Sequence, residues 1–232
     1  MDSGTSEILR LPGGAARVEW RRNRRARRVS LRIDPREAAV VVTLPPRAGR
    51  TAGMSLLMNH AEWVVERLAA LPGHVPFADD AVVPLYGIEH RIRHVGGRGG
   101  VRAICREILV GGESEFLPRR VADFLRAEAR KRMSALVTEK AERAEVKPRR
   151  VTVKDTQTRW GSCASNRNLA FSWRLIMAPR FVQDYVAAHE VAHLRHMNHG
   201  ARFWALVDAL TPHSEAAVAW LRDEGPRLLR IG

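Results

Sequence analysis

Apolar residues alternate with polar ones at Val29, Leu31 and Ile33, the period of a half-buried strand. Asp34-Pro35-Arg36-Glu37 then supplies turn chemistry, and Ala39-Val40-Val41-Val42-Thr43-Leu44 reads as the returning strand, stopped by Pro45-Pro46. The spacing next changes to three- and four-residue steps at Met54, Leu57, Met58, Ala61, Val64, Val65, Leu68 and Leu71, which predict one amphipathic helix. Short strands are expected over 81–112, with the glycine-rich run 96–100 turning between two of them. A long charged helix is expected over 117–145, with Val121, Leu125, Ala129, Met133, Leu136 and Val137 on its apolar side and Lys147-Pro148 as its stop. Strands around Val151-Thr152-Val153 and over 169–173 follow. Another helix begins after Pro179, and a helical pattern returns at Phe203, Leu206, Val207 and Leu210. No internal repeat is visible.

These elements predict an α+β protein. The expected organisation is a flexible start over 1–16, a basic, β-rich part with one helix over 17–115, and a domain over 116–232 that holds the chemistry. With 232 residues, 45% of them hydrophobic, the chain is long enough for a proper core. Its charge is unusual: 39 Lys plus Arg against 25 Asp plus Glu give +14. That balance makes an anionic partner, nucleic acid or nucleotide, a live expectation without bearing on the fold. The two cysteines, Cys105 and Cys163, are too few for a Cys-only zinc site or a disulfide scaffold and fit a reducing compartment. The first residues carry an early acid and no apolar stretch, and the most apolar strand-like run, Ala38 to Leu44, is far too short to cross a bilayer. The expectation is a cytoplasmic protein without a membrane partner.

Four histidines fall within the segment His189-Glu190-Val191-Ala192-His193-Leu194-Arg195-His196-Met197-Asn198-His199. On a helix, His189 and His193 stand one turn apart on one face, a spacing that lets two ring nitrogens meet one Zn²⁺. Glu190 follows the first histidine, where zinc helices of the HExxH type place a carboxylate that takes a proton from water. His196 lies on the same face but about 10.5 Å along the axis from His189, too far for one tetrahedral ion on a straight helix. His199 is the better third ligand, because Asn198 and Gly200 flank it and both residue types suit the bend at a helix end. Metzincins share this spacing but carry Gly where this chain has His196. The site expected is one Zn²⁺ per chain on His189, His193 and His199, with other divalent transition metals able to bind the same imidazoles.

The surrounding sequence resembles the YgjP-like metal-dependent hydrolases, zincin metallopeptidases related in outline to SprT-like domains. The resemblance rests on Arg159-Trp160-Gly161-Ser162-Cys163, on Leu169 with Trp173-Arg174-Leu175, on Ala178-Pro179 and Tyr185-Val186, and on the histidine cluster followed by Phe203-Trp204. It extends upstream through Arg24-Arg25-Ala26-Arg27-Arg28, Leu44-Pro45-Pro46 and Trp63, covering roughly residues 17 to 225. It implies a zincin-like C-terminal domain with an HExxH active-site helix, His189, His193 and His199 as ligands, and Glu190 as the catalytic carboxylate. Val191 replaces the family's usual Leu, and Gly200 stands where many relatives have Ser.

Beside the metal, Tyr185 and Arg159 are candidates for stabilising developing negative charge, each also readable as structural. Gly161 suggests a close backbone approach, and Arg159 to Cys163 an edge strand that lines an extended substrate. Cys163 is read as a small packed residue, Phe203 and Trp204 as packing that fixes the turn at His199, and Asp184 and Asp208 as candidate partners of the ligand imidazoles. The function expected is zinc-dependent hydrolysis of a peptide or protein. Two other readings remain open: release of pyrophosphate from a nucleoside triphosphate, and a nucleic-acid-associated protease or binding module using the basic N-terminal part.

Overall fold

The computed structural model describes residues 5–156 and 158–232, and the chain divides between Gly73 and His74 into two compact units.

In the first unit, β1 (Thr5–Leu11) and β2 (Gly14–Arg22) form a hairpin, as do β3 (Ser30–Asp34) and β4 (Ala39–Leu44). The sheet order is β1-β2-β4-β3, with β2 and β4 parallel. Ala39–Leu44 reads as a continuous apolar run because successive side chains point to opposite faces of the sheet and both faces are covered there, with Ala39, Val40, Val41, Val42 and Leu44 all buried. The expected flexible start is therefore corrected: residues 1–4 lie outside the described residues, but Thr5–Leu11 is an ordered strand paired with β2 along its whole length. The single helix expected over 54–71 is two, α1 (Arg50–Asn59) and α2 (Ala61–Ala69), because His60 at φ −119, ψ 20 leaves the helical region. Leu57, Ala61 and Val64 nonetheless bury against Val18, Trp20, Val40 and Val42.

The second unit begins with β5 (Val82–Leu85), β6 (Ile88–His94), β7 (Val101–Ile104) and β8 (Glu107–Val110). Their order is β5-β6-β8-β7, with antiparallel outer pairs and a parallel central pair. This repeats the strand order and directions of the first sheet, a topological repeat that leaves no trace in the sequence. The chain therefore divides after Gly73 rather than near 115, because Val83, Leu85, Ile92, Ile108 and Val110 enter the same core as the long helix α3 (Leu117–Arg143). All six apolar positions expected on that helix are buried.

A third sheet, ordered β10-β11-β9, contains β9 (Arg150–Lys154), β10 (Gly161–Cys163) and β11 (Asn168–Ser172), with β10 at its edge. A 3₁₀ turn over Trp173–Met177 leads through Pro179 into α4 (Arg180–Ala192). The turn between β5 and β6 holds this approach in place: the backbone N–H of Tyr86 donates to Ile176 O at 2.7 Å and that of Gly87 to Met177 O at 3.0 Å. Gly87 is required twice over. Its φ is +79, and a Cβ there would lie 2.8 Å from Pro179 Cα. The helices α5 (Ala201–Leu210), α6 (Ser214–Asp223) and α7 (Gly225–Leu228) complete the unit. Among the described residues, no helix is long and apolar enough to cross a membrane.

Candidate metal centre

The α4 helix buries Val182, Val186, Ala187 and Val191 in the core, which leaves His189 partly open on another face. It ends at Ala192, one residue before His193. The chain then turns tightly: Leu194 N–H bonds to Val191 O at 2.9 Å and His196 N–H to Ala192 O at 2.9 Å. After Gly200 α5 starts, and the turn between the two helices brings the ring centre of His199 within 5.2 Å of that of His189 and 4.7 Å of that of His193.

Three of the cluster's histidines converge. Ring nitrogens of His189, His193 and His199 all lie within 4.8 Å of one another, and Nε2 of His189 is 3.3 Å from Nε2 of His199. A tetrahedral ion bound at 2.0–2.1 Å would set its ligand nitrogens roughly 3.3–3.4 Å apart. The donor set fits a borderline-soft divalent cation, so the residues present match the metal that the sequence implies. Phe203, fully buried, forms a floor with its ring centre 5.0, 4.5 and 4.7 Å from those of His189, His193 and His199. Trp204 lies beside His199 with the ring centres 5.8 Å apart.

Each inner histidine is oriented from behind. Nδ1 of His193 pairs with the carbonyl of His196 at 3.1 Å, and Nδ1 of His189 faces the hydroxyl of Tyr185 at 3.5 Å. His196 thus contributes a backbone carbonyl, not its ring. The expectation that Asp184 or Asp208 would hold a ligand imidazole is corrected, because both are engaged elsewhere. Asp184 pairs with Lys140 at 2.6 Å, and Asp208 accepts from the Ser214 hydroxyl at 3.3 Å. Tyr185 sits behind His189, on the nitrogen opposite the one that converges with His199.

Electrostatically the pocket disfavours charge. His189 is held down at about 4, first by burial and then by the charges of His193 and His199, so its imidazole is neutral and free to ligate. Burial likewise lowers His193. Glu190 is only 6% exposed, and burial pushes its carboxyl up to about 7, with the charge of exposed Arg159 pulling the other way. The carboxylate lies against Gly161 of β10: a Cβ at that position would meet Glu190 Oε1 at 2.5 Å. Half-buried Cys163 is a further neighbour of Glu190 and is not among the three converging side chains; burial, and then the charge of Glu190, push its thiol up. Of the expected site residues, His189, His193 and His199 converge, and the charge of Arg159 acts on that of Glu190. The role of the His196 carbonyl left no mark in the sequence, since any residue type can supply one.

The chain matches the family model of the YgjP-like metallopeptidase domain over residues 27–224. It therefore belongs to the YgjP-like family, whose members are metal-dependent hydrolases of the peptidase type. The chain has no match among curated proteins.

Proposed function

We propose that this YgjP-like chain is a zinc-dependent metallopeptidase whose ligands are His189, His193 and His199 and whose general base is Glu190. One observation carries the proposal: three imidazole nitrogens converge beside a buried carboxyl group that follows the first of them in the chain. When bound there, a divalent cation supplies Lewis acidity, polarising a carbonyl and making water acidic near neutral pH.

The protein's own groups do the rest. Glu190, with a proton affinity near neutrality, accepts a proton from the attacking water and returns it to the leaving amine. Tyr185 and the His196 carbonyl hold the rings of His189 and His193 in the orientation that aims their inner nitrogens at a common point. Arg159 brings positive charge to the side of Glu190, where a substrate carbonyl or carboxylate gains from it. The edge strand β10 pairs with β11 on one side and offers its other side to an extended peptide, which favours a peptide over a nucleotide as substrate.

The test compares peptide cleavage with pyrophosphate release from nucleoside triphosphates, using wild-type protein and Glu190→Gln. Peptide cleavage that falls by about 10²–10⁴ in Glu190→Gln at unchanged metal content is the expected result. Pyrophosphate release that depends on Glu190, without peptide cleavage, overturns the peptidase assignment and leaves the metal site standing.

A further inference from the structure

The first unit carries a surface to which the proposed hydrolysis assigns no role. Every cationic side chain of Lys or Arg type up to Gly73 is an arginine. Between β2 and β3 the chain runs Asn23-Arg24-Arg25-Ala26-Arg27-Arg28. Its backbone is fixed by Asn23 N–H to Leu44 O at 2.9 Å and by Arg25 N–H to the Asn23 side chain at 2.9 Å. Four other arginines of this unit are neutralised: Arg17 pairs with Glu37, Arg21 with Glu19, Arg32 with Asp34 and Arg50 with Glu7. Arg24, Arg25, Arg27 and Arg28 are exposed, and no carboxylate among the described residues pairs with them. A set loop that projects four unpaired guanidiniums is built for an anion with several charges.

Three residues beyond Arg28, Leu31 opens a groove of about 360 Å³ together with Leu56, His60 and Trp63. It runs beside β3, an edge strand of its sheet. His60 and Trp63 stand one turn apart at the break between α1 and α2, both exposed, with 40% of Trp63 open to solvent. An indole that large is usually covered, and exposed flat rings beside a cationic loop are the elements of a stacking platform.

We infer that this surface binds single-stranded nucleic acid, with the guanidiniums of Arg24, Arg25, Arg27 and Arg28 on the phosphates and Trp63 and His60 stacked on bases. An acidic peptide would satisfy the guanidiniums but offer nothing flat to the two rings. Three residues of extended chain span about 10 Å, so phosphates at the loop and bases in the groove lie within reach of a few nucleotides. Stacking accepts any base, so recognition here is of single strands and not of sequence.

The test is fluorescence anisotropy of a labelled oligothymidylate with the full chain across about 50 to 200 mM salt. The expected result is binding that weakens about tenfold or more over that range. Replacing the four arginines by Ala flattens the salt dependence, and Trp63→Ala weakens binding roughly fivefold or more while Trp63→Phe retains most of it. His60→Ala, which removes the second ring, carries the same expectation should Trp63→Ala fail to fold by circular dichroism. Absence of binding at the lowest salt overturns the inference. So does equal competition by polyglutamate, or undiminished binding by folded variants lacking either ring.

Discussion

Glu190 packs its carboxylate directly on the α-carbon of Gly161, so closely that a methyl group there would sit 2.5 Å from Oε1. The pairing joins α4, the helix that carries His189, to the edge strand β10. It also explains why position 161 carries no side chain: only glycine leaves room for the acid beside the three imidazoles. Gly161→Ala is expected to displace Glu190 and lower kcat at least about tenfold, short of the roughly 10²–10⁴ that loss of an acid–base group costs. Metal content should stay unchanged. Steady-state kinetics beside elemental analysis checks this, and full activity in Gly161→Ala would contradict a working role for the contact.

Elemental analysis of protein purified without a histidine tag or added metal should find about one zinc per chain, the number a single site holds. His189→Ala, His193→Ala and His199→Ala are each expected to lose most of it. His196→Ala should retain it, because the bond from His196 to Nδ1 of His193 comes from its backbone carbonyl. Loss of metal in His196→Ala together with retention in His199→Ala would reverse the ligand assignment.

Both tyrosines of the protein, Tyr86 and Tyr185, resist ionisation. Burial, followed by its hydrogen bond to Glu128, raises Tyr86 from 10.0 to about 12, and burial followed by the charge of Glu190 raises Tyr185. An unfolded chain ionises first, so the stability that protonated Tyr86 contributes is intact below pH 10 and is lost as pH rises through about 12. Ultraviolet titration should show Tyr86 almost wholly protonated in the native protein at pH 10, and less total phenolate than in the same chain in concentrated urea, because Tyr185 is raised as well. A native midpoint near 10 would contradict it.

Lys140 is 3% exposed, with its ammonium 2.6 Å from Asp184 and 3.0 Å from the carbonyl of Leu210. It ties α3 to both α4 and the end of α5. Lys140→Met would leave Asp184 without its cation in a largely buried place, a loss expected to cost about 3 kcal/mol. Urea denaturation measures this directly. A midpoint equal to that of the wild type would show that the ion pair adds nothing over a packed apolar side chain.

Much of the fold was legible where one period persists. Val121 to Val137 on α3 sit every three or four residues and all face the core, so pattern and packing agree. The convergence of His189, His193 and His199 was legible because the first two stand one turn apart at the end of α4 and the third follows within a short bend. Other features depend on distant partners. The hairpin of β1 and β2 was obscured because Thr5–Leu11 keeps most of its residues exposed or half-buried. The break at His60 was hidden because the apolar phase runs through it, with Leu57 before and Ala61 and Val64 after all buried. Asp184 looked free to serve His189 until Lys140, far away in sequence, was found to hold it.

The three converging rings span the bend between Ala192 and Ala201, two from the incoming helix or its first residue beyond and one from just before the outgoing helix. An ion gripped by all three would act as a clasp across that bend, fastening α5 to α4. Chelation should therefore loosen the architecture as well as stop the chemistry, and protease nicking between Arg195 and Arg202 would report it.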